Sequence, residues 1–473
     1  MNTHSFSSWR ESVSRRVHII RRALRGDEVD VTSIPLRRAI AFLAIPMVAE
    51  MFMESLFAIT DIFWVAGLGA DAIAVVGLTE AVIVLIEAVA VGVGMAVTAM
   101  IARRTGEGEH TAAAVVAGQA IWVGAVLSLT FGSFGMLFAS DILQFMGATD
   151  SVIDTGVGFT RLMLGGSVAI VCLYLLGSAF RGAGEPAIAM KALWIGNGLN
   201  IVLDPILIYG FGPIEGIGVE GAAIASILGR GTGAAYLVYR LLQSSERLPI
   251  AASSFALDLP VMRRLLSIAS GGVAQFLIGT ASWIVLMRIV ASYGSDAVAG
   301  YTLAVRIIIF GILPAWGLAN AAATLVGQNL GAKQPERAAQ GVWMTARYSA
   351  VFLGAMALLF GLGAPVIVGW FSDSDAVTGY AVQCLQIMSV GYVIYGFGMT
   401  IIQGFNGAGD TRTPTILNFV CFWLLQIPLA YLLAEYVNLG PTGVFITIVA
   451  SELVLTIWGI ILFRRGNWAR SEV

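Results

Sequence analysis

Twelve apolar runs, each near or above the ~20 residues needed to cross a bilayer, set the limits on what this chain can fold into. They fall at roughly 39–66, 73–101, 112–137, 157–180, 186–210, 218–242, 265–290, 297–326, 338–362, 380–405, 413–436 and 440–463. A segment in hydrocarbon must satisfy its own backbone hydrogen bonds, so runs of this length read as helices. Strands of a membrane barrel would alternate over ~10 residues, and no such pattern occurs. Only 12% of residues are charged and 58% are hydrophobic, against roughly 25% charged in a soluble domain. Mean hydropathy is +0.85, and the 55 glycines suit close packing of helices in lipid. The expected fold is an all-α polytopic membrane protein with twelve transmembrane helices.

Several classes drop out. Cys172, Cys384 and Cys421 all lie inside apolar runs, which suggests neither a disulfide nor a metal cluster. His4, His18 and His110 lie outside the spans. No G-x-x-x-x-G-K-[ST] loop occurs, so ATP hydrolysis is not expected. No HExxH motif, GxGD-like aspartate pair or Ser/His arrangement sits in the spans, so no enzymatic activity is expected. The expected partners are the bilayer and small molecules, with no cofactor and no nucleic acid, and the chain is expected to be a monomer.

Basic residues set the orientation. Arg37 and Arg38 precede span 1, Arg103 and Arg104 follow span 2, and Arg181 follows span 4. Arg240, Arg247, Arg263 and Arg264 flank the connector after span 6. Lys333, Arg337, Arg412, Arg464, Arg465 and Arg470 continue the series on the same side. The opposite loops (67–72, 138–156, 211–217, 291–296, 363–379 and 437–439) hold no Lys or Arg but do hold Asp71, Asp141, Asp150, Asp154, Asp373 and Asp375. By the positive-inside rule both termini are cytoplasmic, in the plasma or inner membrane. The chain opens without a secretory signal. Instead, Trp9, Val13, Val17, Ile20 and Leu24 fall within about 80° on a helical wheel, which reads as an amphipathic helix on the membrane surface. A disordered basic tail and an organellar transit peptide are the alternatives.

The chain repeats itself. At an offset of 225 residues GADAIA (69–74) matches GSDAVA (294–299), Gly92 matches Gly317, Gly106 matches Gly331, and FRGAGE (180–185) matches FNGAGD (405–410). The offset slips to 223 at Pro205 and Pro428, and to 222 at Gly221 and Gly443. Six spans separate the copies, so both keep one orientation, related by an axis along the membrane normal. The expected division is a basic N-terminal segment 1–38, an N-lobe 39–242, a connector 243–264, a C-lobe 265–463 and a tail 464–473.

Acidic residues distinguish the lobes. At ~100° per residue, Glu50, Glu54 and Asp61 share one stripe of span 1, near 0°, 40° and 20°. A carboxylate at the bilayer centre costs roughly 2.5–3.5 kcal/mol on insertion scales, so the stripe must face protein or a watery cavity. Glu80 and Glu87 on span 2 and Asp204 on span 5 add to it, whereas their lobe-two counterparts are apolar (Val305, Ile312 and Ile427). Lobe two offers Glu452, Gln275, Asn320, Gln403 and Gln426. At ~1.5 Å per residue, Asp61, Glu80, Asp204 and Ser226 share one layer in the outer half of the membrane, and Asn197, Asn200 and Asp204 lie on one face of span 5. Hard oxygen ligands of this kind suit Na⁺, or a proton held by a desolvated carboxyl. Glu54 and Glu87 lie deeper. The acids have a plainer reading as partners of Arg161, Arg230 or Arg306, with Arg306 or Arg347 as the alternative for Glu452. Pro46, inside span 1, is read as a bend or a hinge.

DIFWVAGLGADAIAVVGL (61–78), IARRTGEGE (101–109), FRGAGEP (180–186), NIVLDPILIYG (200–210) and GVEGAAIAS (218–226) resemble the multidrug and toxic compound extrusion (MATE) family, and its DinF-like branch most. The resemblance covers residues 35–465. It implies two pseudo-symmetric six-helix lobes around a V-shaped cavity, and export of cationic amphipathic compounds in exchange for H⁺ or Na⁺. It carries a coupling-ion site onto Asp61, Asn200, Asp204 and Ser226, with Glu80 beside them, and makes Asp61, Asn200 and Asp204 the Na⁺ ligands if sodium is the ion. It carries a bending proline onto Pro46 and a cavity residue onto Glu54; Glu50 and Glu87, additional to the family's pattern, and Asn197 are expected in the same substrate cavity. Phe159 and Gly177 stand where relatives carry a Tyr and an Asn, and the lobe-two acids of the NorM-like branch are missing. A flippase for lipid-linked oligosaccharides is the competing function; it would favour cavity arginines.

Overall fold

A computed structural model describes residues 17–372 and 374–471. The outer part of the amphipathic N-terminal pattern, Trp9 and Val13 included, lies outside the described residues, as does Asp373. The helices are α1 (Leu36–Ala66), α2 (Ala70–Glu107), α3 (His110–Phe145), α4 (Asp150–Ala183), α5 (Pro186–Tyr209), α6 (Val219–Leu242), α7 (Leu259–Ala291), α8 (Ser295–Gly331), α9 (Pro335–Gly369), α10 (Asp375–Gly407), α11 (Arg412–Tyr436) and α12 (Pro441–Arg464). Eleven of them are long and apolar enough to cross a membrane. The twelfth, α6, has the length, 24 residues, but carries Glu220, Arg230 and Arg240.

Several helices outrun their apolar cores. With 38 residues, α2 is about 57 Å long against a hydrocarbon thickness of about 30 Å. The stretches 138–156 and 363–379, expected as loops, are mostly helix, and only 146–149 and 370–374 connect the spans. Sequence hydropathy misses such ends because a helix continues beyond the membrane as long as its backbone stays paired. Gly165 and Gly166 divide α4 into Asp150–Gly165 and Ser167–Ala183. α1 runs on through Pro46.

The repeat sets how the halves meet. Gly92 of α2 backs onto Val273 of α7, where a Cβ would stand 2.6 Å from the Val273 Cα. Its copy Gly317 of α8 backs onto α1, where a Cβ would stand 2.8 Å from the Val48 nitrogen, two residues from Pro46. Gly106 against Gln328 and Gly331 against Arg103 form a second matched pair. The two halves therefore cross-pack α1 on α8 and α7 on α2 at points only glycine permits. Gly317→Val should overpack this seam and lower thermal stability by about 1–3 kcal/mol, seen as a lower melting temperature in detergent than that of the wild type.

Further bonds close the halves on the face carrying Arg103 and Arg337. Gln328 Nε2 donates to the Gly182 carbonyl at 2.9 Å, Thr324 Oγ1 to the Arg181 carbonyl at 3.2 Å, and Arg103 to the Ser471 carbonyl at 2.7 Å. A short helix over 17–25 and the non-helical stretch 26–35 after it form a strap across this basic face. Lys191 of α5 donates to the Arg25 carbonyl at 2.7 Å, and Arg337 of α9 donates to the carbonyls of Val31 (3.0 Å) and Ile34. Val31 is buried with Leu43 of α1 and Leu325 of α8. The connector is anchored too: Gln119 and Trp122 of α3 donate to the carbonyls of Ala256 and Phe255.

Candidate functional site

The best-defined polar cluster lies where α5 meets α6. Residues 197, 200 and 204 recur at helical spacing, so Asn197, Asn200 and Asp204 come to one face, and all three are buried. Gly229 lets α6 approach: a Cβ there would stand 2.9 Å from the Asn200 Cβ. Asn200 Nδ2 donates to Ser226 Oγ at 3.1 Å and to Asp204 Oδ1 at 3.4 Å. Pro205 has no N–H, which leaves the Ile201 carbonyl without its helical donor.

This uses the donors and leaves the acceptors. Asn200 Oδ1 and Asp204 Oδ2 are buried with no hydrogen-bond partner. Buried polar atoms are nearly always satisfied, and a pair of orphan acceptors on adjacent side chains has the chemistry to take a proton or a small cation. Three of the expected ion-site residues, Asn200, Asp204 and Ser226, are thus brought together. Asp61 stands within electrostatic reach of Asp204 and of Glu80, without a hydrogen bond to the cluster. Glu80 is exposed and lies within electrostatic reach of Arg306 of α8. Among the described residues no group of three or more His, Cys, Asp and Glu side chains has metal-binding geometry; the cluster at α5 relies on an amide and a hydroxyl instead.

Deeper lies a central cavity of about 300 Å³ between the halves, lined by Glu50, Glu54, Tyr174, Arg181 and Arg230 on one side and Trp316 and Asn320 on the other. Glu50 is among its lining residues and Glu87 is not, and both carry an arginine partner. Glu50 is buried in an ion pair with Arg181, 2.6 Å away, and Arg181 also donates to Ser178 Oγ at 2.9 Å. Glu87 pairs with Arg230 at 3.6 Å, and that guanidinium lies 5.6 Å from the Phe57 ring centroid. Both acids are counter-ions rather than free cavity carboxylates, because an unpaired charge at this depth is far less stable than a paired one. For Glu87 the partner was among those weighed; for Glu50 it was not, since Arg181 reads in sequence as a loop residue beyond span 4. Glu54 keeps its cavity position, accepting from Asn197 Nδ2 at 2.9 Å and forming no ion pair among the described residues. Asn197 stands behind Glu54 and does not line the cavity.

A signal for Glu50 was present in the repeat. At the 225-residue offset Glu50 corresponds to Gln275 and Arg181 to Asn406. Gln275 Nε2 donates to Asn406 Oδ1 at 3.1 Å. One contact is thus kept in both halves, ionic in the first and neutral in the second. Glu452 pairs with neither Arg306 nor Arg347; it faces a second cavity, within the C-terminal half.

Comparison with known proteins agrees with this architecture. The MatE family model matches residues 46–206 and 273–432, one segment in each half. The chain is similar to a probable multidrug resistance protein NorM of Thermotoga maritima, with 25% identity covering 93% of this chain and 94% of the other. It is similar to an FAD transporter of Shewanella oneidensis, with 23% identity covering 91% and 95%. It also superposes on the outward-facing conformation of a multidrug resistance MATE family transporter with a TM-score of 0.88 and 28% identity, covering 94% and 99%. Two matched segments, a pseudo-symmetric twelve-helix bundle and a polar cavity between its halves make this chain a member of the MATE family of membrane transporters.

Proposed function

We propose that the chain is a secondary antiporter that exports cationic amphipathic compounds in exchange for H⁺ or Na⁺. The observation that carries this reading is the pair of orphan acceptors, Asn200 Oδ1 and Asp204 Oδ2, in a buried cluster beside Asp61. Arginines on the strap side indicate that the basic face is cytoplasmic, and with that face closed the cavity opens outward. In this state Asp61 and Asp204 take H⁺ or Na⁺ from outside. Neutralising them lowers the negative potential of the cavity, so a cation held near Glu54 leaves. α1 then shifts, with Pro46 as its hinge, the seam at Gly317 moves with it, and the halves reopen inward to release the ion and admit new substrate.

The competing reading is an anionic substrate, which the FAD transporter of Shewanella oneidensis raises and which the cavity arginines Arg181 and Arg230 favour. Both guanidiniums are, however, matched by Glu50 and Glu87, and the acids left over are Glu54, Asp61, Glu80 and Asp204. The balance of charge supports a cation. In proteoliposomes, a pH gradient alone or a sodium gradient alone should drive ethidium transport, FAD should not compete, and Asp61→Asn should reduce the rate by about tenfold or more. Transport that ignored both gradients would refute antiport, and competition by FAD would favour the anionic reading.

A further inference from the structure

The C-terminal half contains a cavity of about 400 Å³ whose wall includes Trp283, Trp316, Tyr392, Tyr395, Gln426 and Glu452. No Lys or Arg lines it, and Glu452 is its only charged group. Glu452 is 8% exposed and has no ion pair or hydrogen bond among the described residues. Gln426, 3% exposed, also leaves its Oε1 buried without a partner. A carboxylate and an amide oxygen, neither with a hydrogen-bond partner among the described residues, thus face an aromatic chamber.

The repeat shows why Glu452 lacks a counter-charge. At the 222-residue offset of this region, Glu452 corresponds to Arg230. In the first half Arg230 is matched by Glu87; the counterpart of Glu87, at the 225-residue offset of its own region, is Ile312, which lines the second cavity. The two halves therefore carry opposite charge at equivalent places, and only the first half carries the partner. Gly398 makes room for the carboxylate, since a Cβ there would stand 2.8 Å from Glu452 Oε1. From α10 Tyr395, and from α11 Cys421, lie within its electrostatic reach. Neither supplies positive charge.

We propose that this chamber is a second binding site, distinct from the central cavity, for hydrophobic monocations, with Glu452 as counter-ion and the aromatic rings as the platform. A lipophilic ammonium or phosphonium ion supplies the charge that Ile312 withholds, and its apolar body takes the ring faces through cation–π contact. The two cavities share Met95, Phe276, Trp316, Gln403 and Asn406 in their walls, so the second adjoins the first. The site deepens the antiporter reading above, on which its role in export rests.

The test is equilibrium binding of tetraphenylphosphonium, whose charge is fixed, to purified protein in nanodiscs. Glu452→Gln should weaken binding by about tenfold, the scale of one lost charge-assisted contact, and leave uncharged triphenylphosphine oxide unaffected. Ile312→Lys, which tethers an ammonium opposite Glu452, should block the phosphonium while Glu452 remains in place. Wild-type affinity in Glu452→Gln, or equal weakening of the charged and uncharged ligands, would overturn the site and leave ion exchange at Asp204 standing. Binding that depends on Glu452 in a protein that no ion gradient drives would instead overturn the antiporter reading alone.

Discussion

Asp204→Asn is expected to uncouple the protein while leaving it folded. The substitution keeps the shape of the side chain and removes both its charge and its capacity to take a proton. Asp204 is fully buried, and its Oδ2 has no donor. An ion bound there would lose its only formal counter-charge within the hydrogen-bonded cluster, so ion affinity should fall at least about a hundredfold, on the order of 3 kcal/mol. Ethidium transport in proteoliposomes under either gradient should drop to the level of empty vesicles. Melting in detergent should be unchanged or shifted upward, because a buried uncompensated charge has been removed. A variant that transports at the wild-type rate would remove Asp204 from the coupling site.

The second large effect concerns the Glu50–Arg181 pair. Arg181→Asn alone leaves a buried carboxylate, and Glu50→Gln alone leaves a buried guanidinium; each should destabilise the protein by about 3–5 kcal/mol. The double variant Glu50→Gln/Arg181→Asn rebuilds the neutral pair that Gln275 and Asn406 form in the other half. It should recover most of the lost stability, a coupling far outside the few tenths of a kcal/mol expected for independent sites. Melting temperatures of the four proteins in one detergent provide the cycle. Additive losses would show that the ion pair is not a structural unit. Efflux separates structure from transport: a double variant that is stable yet inactive would return Glu50 and Arg181 to the working cavity.

How far the sequence could be read depended on the range of each interaction. The spans and the shared face of Asn197, Asn200 and Asp204 follow from periodicity within a single helix, and the helix carries that information in its own residues. The glycines at 92, 106, 317 and 331 were visible as repeats, but their purpose was not: each meets a backbone more than a hundred residues away. The pairs Glu50–Arg181 and Glu87–Arg230 join residues 131 and 143 apart, where no local spacing brings them together. Charge in the membrane was correctly read as demanding an explanation. For two of the six acids of the first half, Glu50 and Glu87, that explanation is an arginine from another helix.

The strap over the basic face carries a consequence for biogenesis. Its docking groups arrive late: Val31 and Ile34 are held by Arg337, about three hundred residues downstream, while Lys191 of the first half is made earlier. During synthesis the segment ahead of α1 can engage the first six helices but has nothing to span to. It acquires its second anchor only after α8 has inserted and the start of α9 has emerged. The earliest residues made therefore settle among the last, and the order of translation runs opposite to the order of closure. Contacts of such long sequence separation form slowly, and a chain halted after its sixth helix would display this segment held at Lys191 alone.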